Sequence, residues 1–151
     1  MGNNKAIIVL GDMTWIIFGL LSALFAGAVA VLGKLGLQGL DSTLATTIRS
    51  VIMAGFLIVV SLISGKLHDL GAFTGRPLWY IIASGIAGAL SWLFYFTALK
   101  FGPATAVAGL DRLSIVFVLI LSALFLGETW SLKNVLAVIF IAIGAVLLVM
   151  K

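Results

Sequence analysis

An all-α membrane protein of five transmembrane helices is the fold this sequence predicts, and three observations predict it. Of its 151 residues, 63% are hydrophobic and only 9% charged, with a mean hydropathy of +1.31; soluble domains run nearer ~45–50% apolar and ~25% charged. The apolar residues gather into five blocks, each of about the 17 to 25 residues that a helix needs to cross roughly 30 Å of hydrocarbon. Charges or turn formers bracket each block, so the chain divides cleanly into spans and short connections.

The first span runs from about 13 to 37, after Asp12, and closes in the glycine-rich LGKLGLQGLD. Lys5, the apolar run and the small residues Ala28 and Ala30 also resemble a secretory signal. The spanning length of the run and the four spans that follow favour a retained helix. A second helix is expected over 43–64, capped by Ser42 or Thr43 and stopped by Ser64 and Gly65. The polar connector KLHDLGAFTGRP follows, and its His68 reads as a solvated residue. Pro77 opens the third helix (77–99), where Trp79 and Tyr80 suit the membrane interface and Lys100 marks the end. Gly102 and Pro103 turn the chain into the fourth helix (103–126). The fifth (131–150) follows a tight turn whose Glu128 reads as a helix cap. Small residues recur at Gly19, Ala23 and Gly27, at Ser84 and Gly88, and at Ala137 and Ala145; such stripes let membrane helices approach closely.

Several function classes are excluded or disfavoured. No cysteine is present, so disulfides, thiol catalysis and cysteine-held metals are excluded. The formal charge of +4 comes from scattered Lys and Arg with no polybasic run, which argues against nucleic acid as a partner. No phosphate-binding glycine loop, HExxH or nucleophile elbow occurs, so no enzyme activity and no cofactor is expected.

Charge inside the spans is the sharpest functional signal. Asp111 and Arg112 stand side by side within the stretch from Phe101 to Gly127, and Arg49 lies inside the second span. Such a residue costs roughly 2.5 to 3.5 kcal/mol at the bilayer centre, so its default place is a bundle interior or a water-filled path. Counting about 1.5 Å per residue from Ser42 and Pro103 puts Arg49 and Asp111 level, roughly 10 to 12 Å deep. Neighbours on a helix point about 100° apart. Asp111 is therefore expected to meet Arg49, leaving Arg112 for substrate, a carbonyl or a second protomer. The alternative is that all three form a structural brace. Asp111 could act as a proton carrier or as a fixed countercharge. Trp92 and Tyr95, with Ser91 nearby and Gly85, Gly88 and Ala89 leaving room, are candidates to cover an organic solute; ordinary packing would use the same residues. The candidate substrate-binding set is thus Asp111, Arg112, Arg49, Trp92 and Tyr95, and no metal site is expected.

The blocks GLDRLSIVFVLILSALFLGE and TWSLKNVLAVIFIAIGAVLLV resemble the last two helices of an EamA-type domain of the drug/metabolite transporter superfamily. TWIIFGLLSALFAGAVAVLGKLGLQ through TIRSVIMA resembles its first helices, and SWLFYFTALKFGPATAVAGL its third helix and turn. The resemblance covers nearly the whole chain and implies a single EamA-type repeat over 1–151, half the ten-helix arrangement common in that family. It implies a secondary transporter of a small organic solute or metabolite, in the plasma or inner cell membrane, working by alternating access. The small multidrug resistance proteins of the same superfamily pair antiparallel and use a glutamate in the first helix. Here no acid follows Asp12 in that helix, so that form of proton coupling does not carry over. The rival reading is a non-transporting membrane subunit that scaffolds or modifies a partner.

Five spans would put the termini on opposite sides of the membrane. One face then holds Lys5, Lys66, Arg76 and Lys133; the other holds Lys34, Lys100 and Lys151, with Arg49 if it snorkels. That near-tie leaves orientation unassigned by the positive-inside rule. Insertion both ways, with pairing into an antiparallel ten-helix homodimer, is one expectation; a single orientation set by Lys5 and the basic connector is the other. Labelling of a residue near each terminus from either side of the membrane separates them: dual insertion predicts that both reagents reach both ends.

Overall fold

The computed structural model describes residues 2–150, with side chains from Met13 onward except Ala72; the termini that carry Lys5 and Lys151 lie outside the described side chains. Among the described residues six α-helices follow one another: α1 (Gly2–Gly36), α2 (Ser42–Ile63), α3 (Arg76–Phe101), α4 (Ala104–Asp111), α5 (Ser114–Leu126) and α6 (Leu132–Leu147). A 3-10 helix, Lys66–Ala72, fills the polar connector. Among the described residues four stretches are long and apolar enough to cross a membrane: Met13–Gly36, Ser42–Ile63, Arg76–Phe101 and Ala104–Leu126, the last made of α4 and α5 together. Leu132–Leu147 is a shorter apolar helix.

Local chemistry explains the ends. Asp41, rather than Ser42 or Thr43, caps α2, its carboxylate accepting the Leu44 N–H at 2.9 Å. The Ser42 hydroxyl is instead buried at the α2–α3 contact, 3.5 Å from Thr97 Oγ1. Gly65 and Gly127 take left-handed φ of 68° just past α2 and α5, a conformation that glycine adopts without steric cost. Ser131, not Glu128, caps α6, its hydroxyl accepting the Asn134 N–H at 3.2 Å. Glu128 serves the turn through its backbone, its N–H returning to Ser122 C=O at 3.3 Å. Trp130 folds back beside it and donates its indole N–H to Leu119 C=O at 3.1 Å.

Packing is concentrated at one end, where α1 and α3 finish and α2 and α4 begin. Leu37, Phe96, Leu99 and Val107 form the core there, with Leu99 fully buried. The chief helix contacts join α3 to α2, α1 and α4, and join α4 to α1 and α6. Lys34 ties the same corner together: its ammonium donates to the carbonyls of Leu99, Lys100 and Gly102, the last at 2.9 Å. A cation at a helix C-terminus meets both unpaired carbonyls and the negative end of the helix dipole. Lys34 therefore closes α3 and is not a free charge at the membrane surface.

Away from that corner the helices hardly cover one another. No more than 11% of any spanning window is buried. The small-residue stripes on α1 and α3 do not pack within the chain, since a Cβ added at Gly19, Gly27, Gly85 or Gly88 would meet nothing within 4 Å. Glycines that do seat a neighbour are Gly33, Gly102 and Gly109; at Gly109 a Cβ would come 2.7 Å from Leu148 Cδ1, where α4 packs on α6.

Replacing Lys34 by Met should lower stability by about 1–3 kcal/mol, because it strips charge-assisted donors from three carbonyls. Thermal unfolding in detergent checks this, and an unchanged midpoint would show that the cap contributes nothing.

Candidate functional site

The fourth span is broken where its charges lie. Between α4 and α5 the amides of Arg112, Leu113, Ile115 and Val116 bond three residues back, to Gly109, Leu110, Arg112 and Leu113, at 2.9–3.2 Å. Arg112 and Leu113 keep helical angles, φ −67° and −63° with ψ −14° and −15°. The chain is therefore overwound into a short 3-10 turn rather than unravelled. A 3-10 stretch within a helix often marks a functional hinge or a locally strained sequence. Nothing in the hydropathy of this block signals the break.

A regular α-helix was expected to point Asp111 and Arg112 apart, but both line one cleft of about 300 Å³, together with Ala26 of α1, Ser91, Trp92 and Tyr95 of α3, and Ser114 of α5. Both are exposed in the single chain. Asp111 also borders a neighbouring cleft of about 350 Å³, shared with Tyr95 and Phe94.

The expected Asp111–Arg49 ion pair is not formed. No salt bridge of 4.0 Å or less joins them, and α2 and α4 are not among the chief helix contacts because α3 takes the adjacent place against each. Equal depth in the membrane was legible from residue counts, but the angular order of the helices was not. Arg49 instead lies over the Trp92 ring, with Cζ 3.7 Å from the ring centroid and 5.2 Å from that of Phe96. Its Nη1 is buried and has no hydrogen-bond partner. Trp92, Tyr95 and Phe96 form one aromatic cluster, with Trp92 and Tyr95 edge to face at 5.5 Å and 79°, and Phe96 tilted against them at 6.0 and 6.2 Å.

The five expected residues are thus brought together as a layered arrangement. Asp111 and Arg112 face the polar cleft, Trp92 and Tyr95 form its wall, and Arg49 sits against Trp92. Tyr95 is the shared wall, since it borders both clefts that Asp111 lines. Phe96 was not singled out from sequence. Its place four residues after Trp92 puts it on the Trp92 face of the helix, so that spacing was the available signal. Among the described residues no group of three or more His, Cys, Asp or Glu gathers as a metal site.

Span-length apolar helices mark a multi-pass membrane protein. The chain belongs to the EamA-like transporter family, whose model matches residues 13–150. It is 43% identical, over 137 residues, to a curated Sinorhizobium sp protein described as an uncharacterized transporter in the cobO 3' region. The match covers 91% of this chain and 97% of that relative. No solved structure matches the chain. The family is one of transporters, not of enzymes.

Two double-mutant cycles test the geometry. Arg49→Met with Trp92→Leu should show a stability coupling of about 0.5–2 kcal/mol, the range of a cation over an aromatic face. Arg49→Met with Asp111→Asn should be additive to within about 0.5 kcal/mol, as for residues without a shared contact. The reverse ranking would restore the direct ion pair.

Proposed function

We propose that this protein is a secondary transporter that carries a small organic solute across the cell membrane by alternating access. Its working unit is an antiparallel homodimer of two five-helix EamA-type repeats. The observation that carries this reading is the tight turn at Arg112–Leu113. It interrupts a membrane span beside two opposite charges that have no ion-pair partner among the described residues. It also joins a firmly packed half, α4, to a half, α5, whose chief contact is α6.

Transporters built from inverted repeats hold substrate near the midplane, at discontinuous helices. In this reading Asp111 and Arg112 contact the solute, Trp92 and Tyr95 cover its apolar parts, and Arg49 contributes positive charge from behind Trp92. Movement of α5 about the tight turn would alter the cleft, because Asp111, Arg112 and Ser114 straddle it.

Three observations support pairing. The spans of one chain leave most of their surface uncovered. The small-residue stripes on α1 and α3 stand open. A relative matched over 97% of its length has no room for a second unit of this kind. With Arg49 held over Trp92, Lys5, Lys66, Arg76 and Lys133 on one face stand against Lys34, Lys100 and Lys151 on the other, a bias small enough to allow insertion both ways.

Purified protein in liposomes, loaded with pools of amino acids, nucleobases or organic acids, should show saturable counterflow of one pool with no other protein present. Asp111→Asn and Arg112→Ala should each cut that flux by about tenfold or more, the effect of removing one charge-assisted contact. Undiminished flux in both variants would make the charges a brace, and flux only after adding a second membrane protein would make this chain an accessory subunit.

A further inference from the structure

On the other side of Arg49 from the polar cleft lies a larger space. A cavity of about 410 Å³ opens between α1, α2 and α3, and Arg49 is the single ionisable residue on its wall. The rest of the lining is aliphatic side chains, Phe96 and the backbone faces of Gly33 and Gly36. The volume falls in the range of small-molecule sites, roughly 300–1,000 Å³, which are lined mainly by apolar groups with a few placed polar ones.

The state of Arg49 says what the polar group is for. Its Nη1 is buried without a hydrogen-bond partner, and a buried charged donor left unmade is costlier than a neutral one. Trp92 offsets part of that cost through its π face at 3.7 Å. A guanidinium donates in its own plane, however, so a ring lying over it leaves the N–H fork unused. No acid of the described chain takes that fork: Asp111 lines the clefts beyond the aromatic layer, and Arg49 has no ion-pair partner. Among the described residues no acceptor serves the fork, and a planar carboxylate from a ligand fits it in two-point contact.

We infer that the cavity between α1, α2 and α3 binds a small organic monoanion, its carboxylate on Arg49 and its apolar body against α1 and Phe96. This is a second site, separated from the cleft of Asp111 and Arg112 by the aromatic layer, and only its transport consequence rests on the reading proposed above. The same chemistry could be supplied by an anionic membrane lipid with an acyl chain in the cavity, and the lipid composition of the assay separates the two sources.

Binding of 4-phenylbutyrate, 4-phenylbutanol and 4-phenylbutylammonium is measured by calorimetry on the protein in phosphatidylcholine nanodiscs. The anion should bind, and the alcohol and the ammonium should bind about tenfold or more weakly. Arg49→Met should lose anion binding, and Arg49→Lys, which keeps the charge but not the planar fork, should fall between. Gly36 lines the cavity and a Cβ there would meet nothing within 4 Å, so Gly36→Leu should fill the space and weaken the anion with Arg49 intact. That variant keeps the test open if Arg49→Met does not fold.

Equal binding of the alcohol, or anion binding that survives both Arg49→Met and Gly36→Leu, would overturn the assignment. So would displacement of the anion when phosphatidylglycerol replaces part of the phosphatidylcholine, since the site would then belong to a lipid. Anion binding without flux in liposomes would leave the site standing and remove the transport reading. Flux of a different solute, with no anion binding, would do the opposite.

Discussion

Arg49 over the face of Trp92 is the interaction on which the arrangement of the site depends. An arginine inside a span must be covered by something that tolerates its charge, because hydrocarbon supplies neither water nor acceptors. Trp92 provides that cover from α3, and the same contact sets the position of α2 against α3. The aromatic cluster of Trp92, Tyr95 and Phe96 then separates an apolar cavity on the α2 side from a charged cleft on the α4 side. Had Arg49 met Asp111 directly, the two spaces would have merged around a neutralised pair.

The same requirement governs the smaller polar groups. Thr46, Thr47, Ser50, Ser64 and Thr97 each donate the side-chain hydroxyl to a carbonyl four residues back on the same helix. This lets hydroxyls sit within apolar spans without partners from other helices. Lys34 meets the requirement between helices, spending its donors on the C-terminal carbonyls of α3. Against this background of satisfied groups, the buried Nη1 of Arg49 and the unpaired charges at the tight turn stand apart, and they border the cavities.

Firm packing and open surface divide the chain in a way that suits a moving part. The core at Leu37, Phe96, Leu99 and Val107 anchors the ends of α1 and α3 with the start of α4. Beyond the 3-10 turn, α5 carries large side chains such as Phe117, Leu124 and Phe125 that remain exposed. A rigid corner, a tight turn and a loosely attached helix lie in sequence along one span, with Asp111 and Arg112 at the junction.

Membrane residence, the approximate spans and the identity of the charged and aromatic residues were determined by the sequence itself, because hydrophobic length and the cost of buried charge are properties of the chain alone. Helix stops at Gly65 and Gly127 were legible for the same local reason. The partner of Arg49, the cap on α2 at Asp41 and the task of Lys34 were decided by tertiary structure. Depth along a helix can be counted in residues, but which neighbour stands at which angle depends on how α3 is placed against α1, α2 and α4. The break at Arg112–Leu113 belongs to the same class, since Leu110 and Leu113 are ordinary helix formers. Their shift to three-residue hydrogen bonds is written in no local preference, and only the folded chain shows that Asp111 and Arg112 share one cleft.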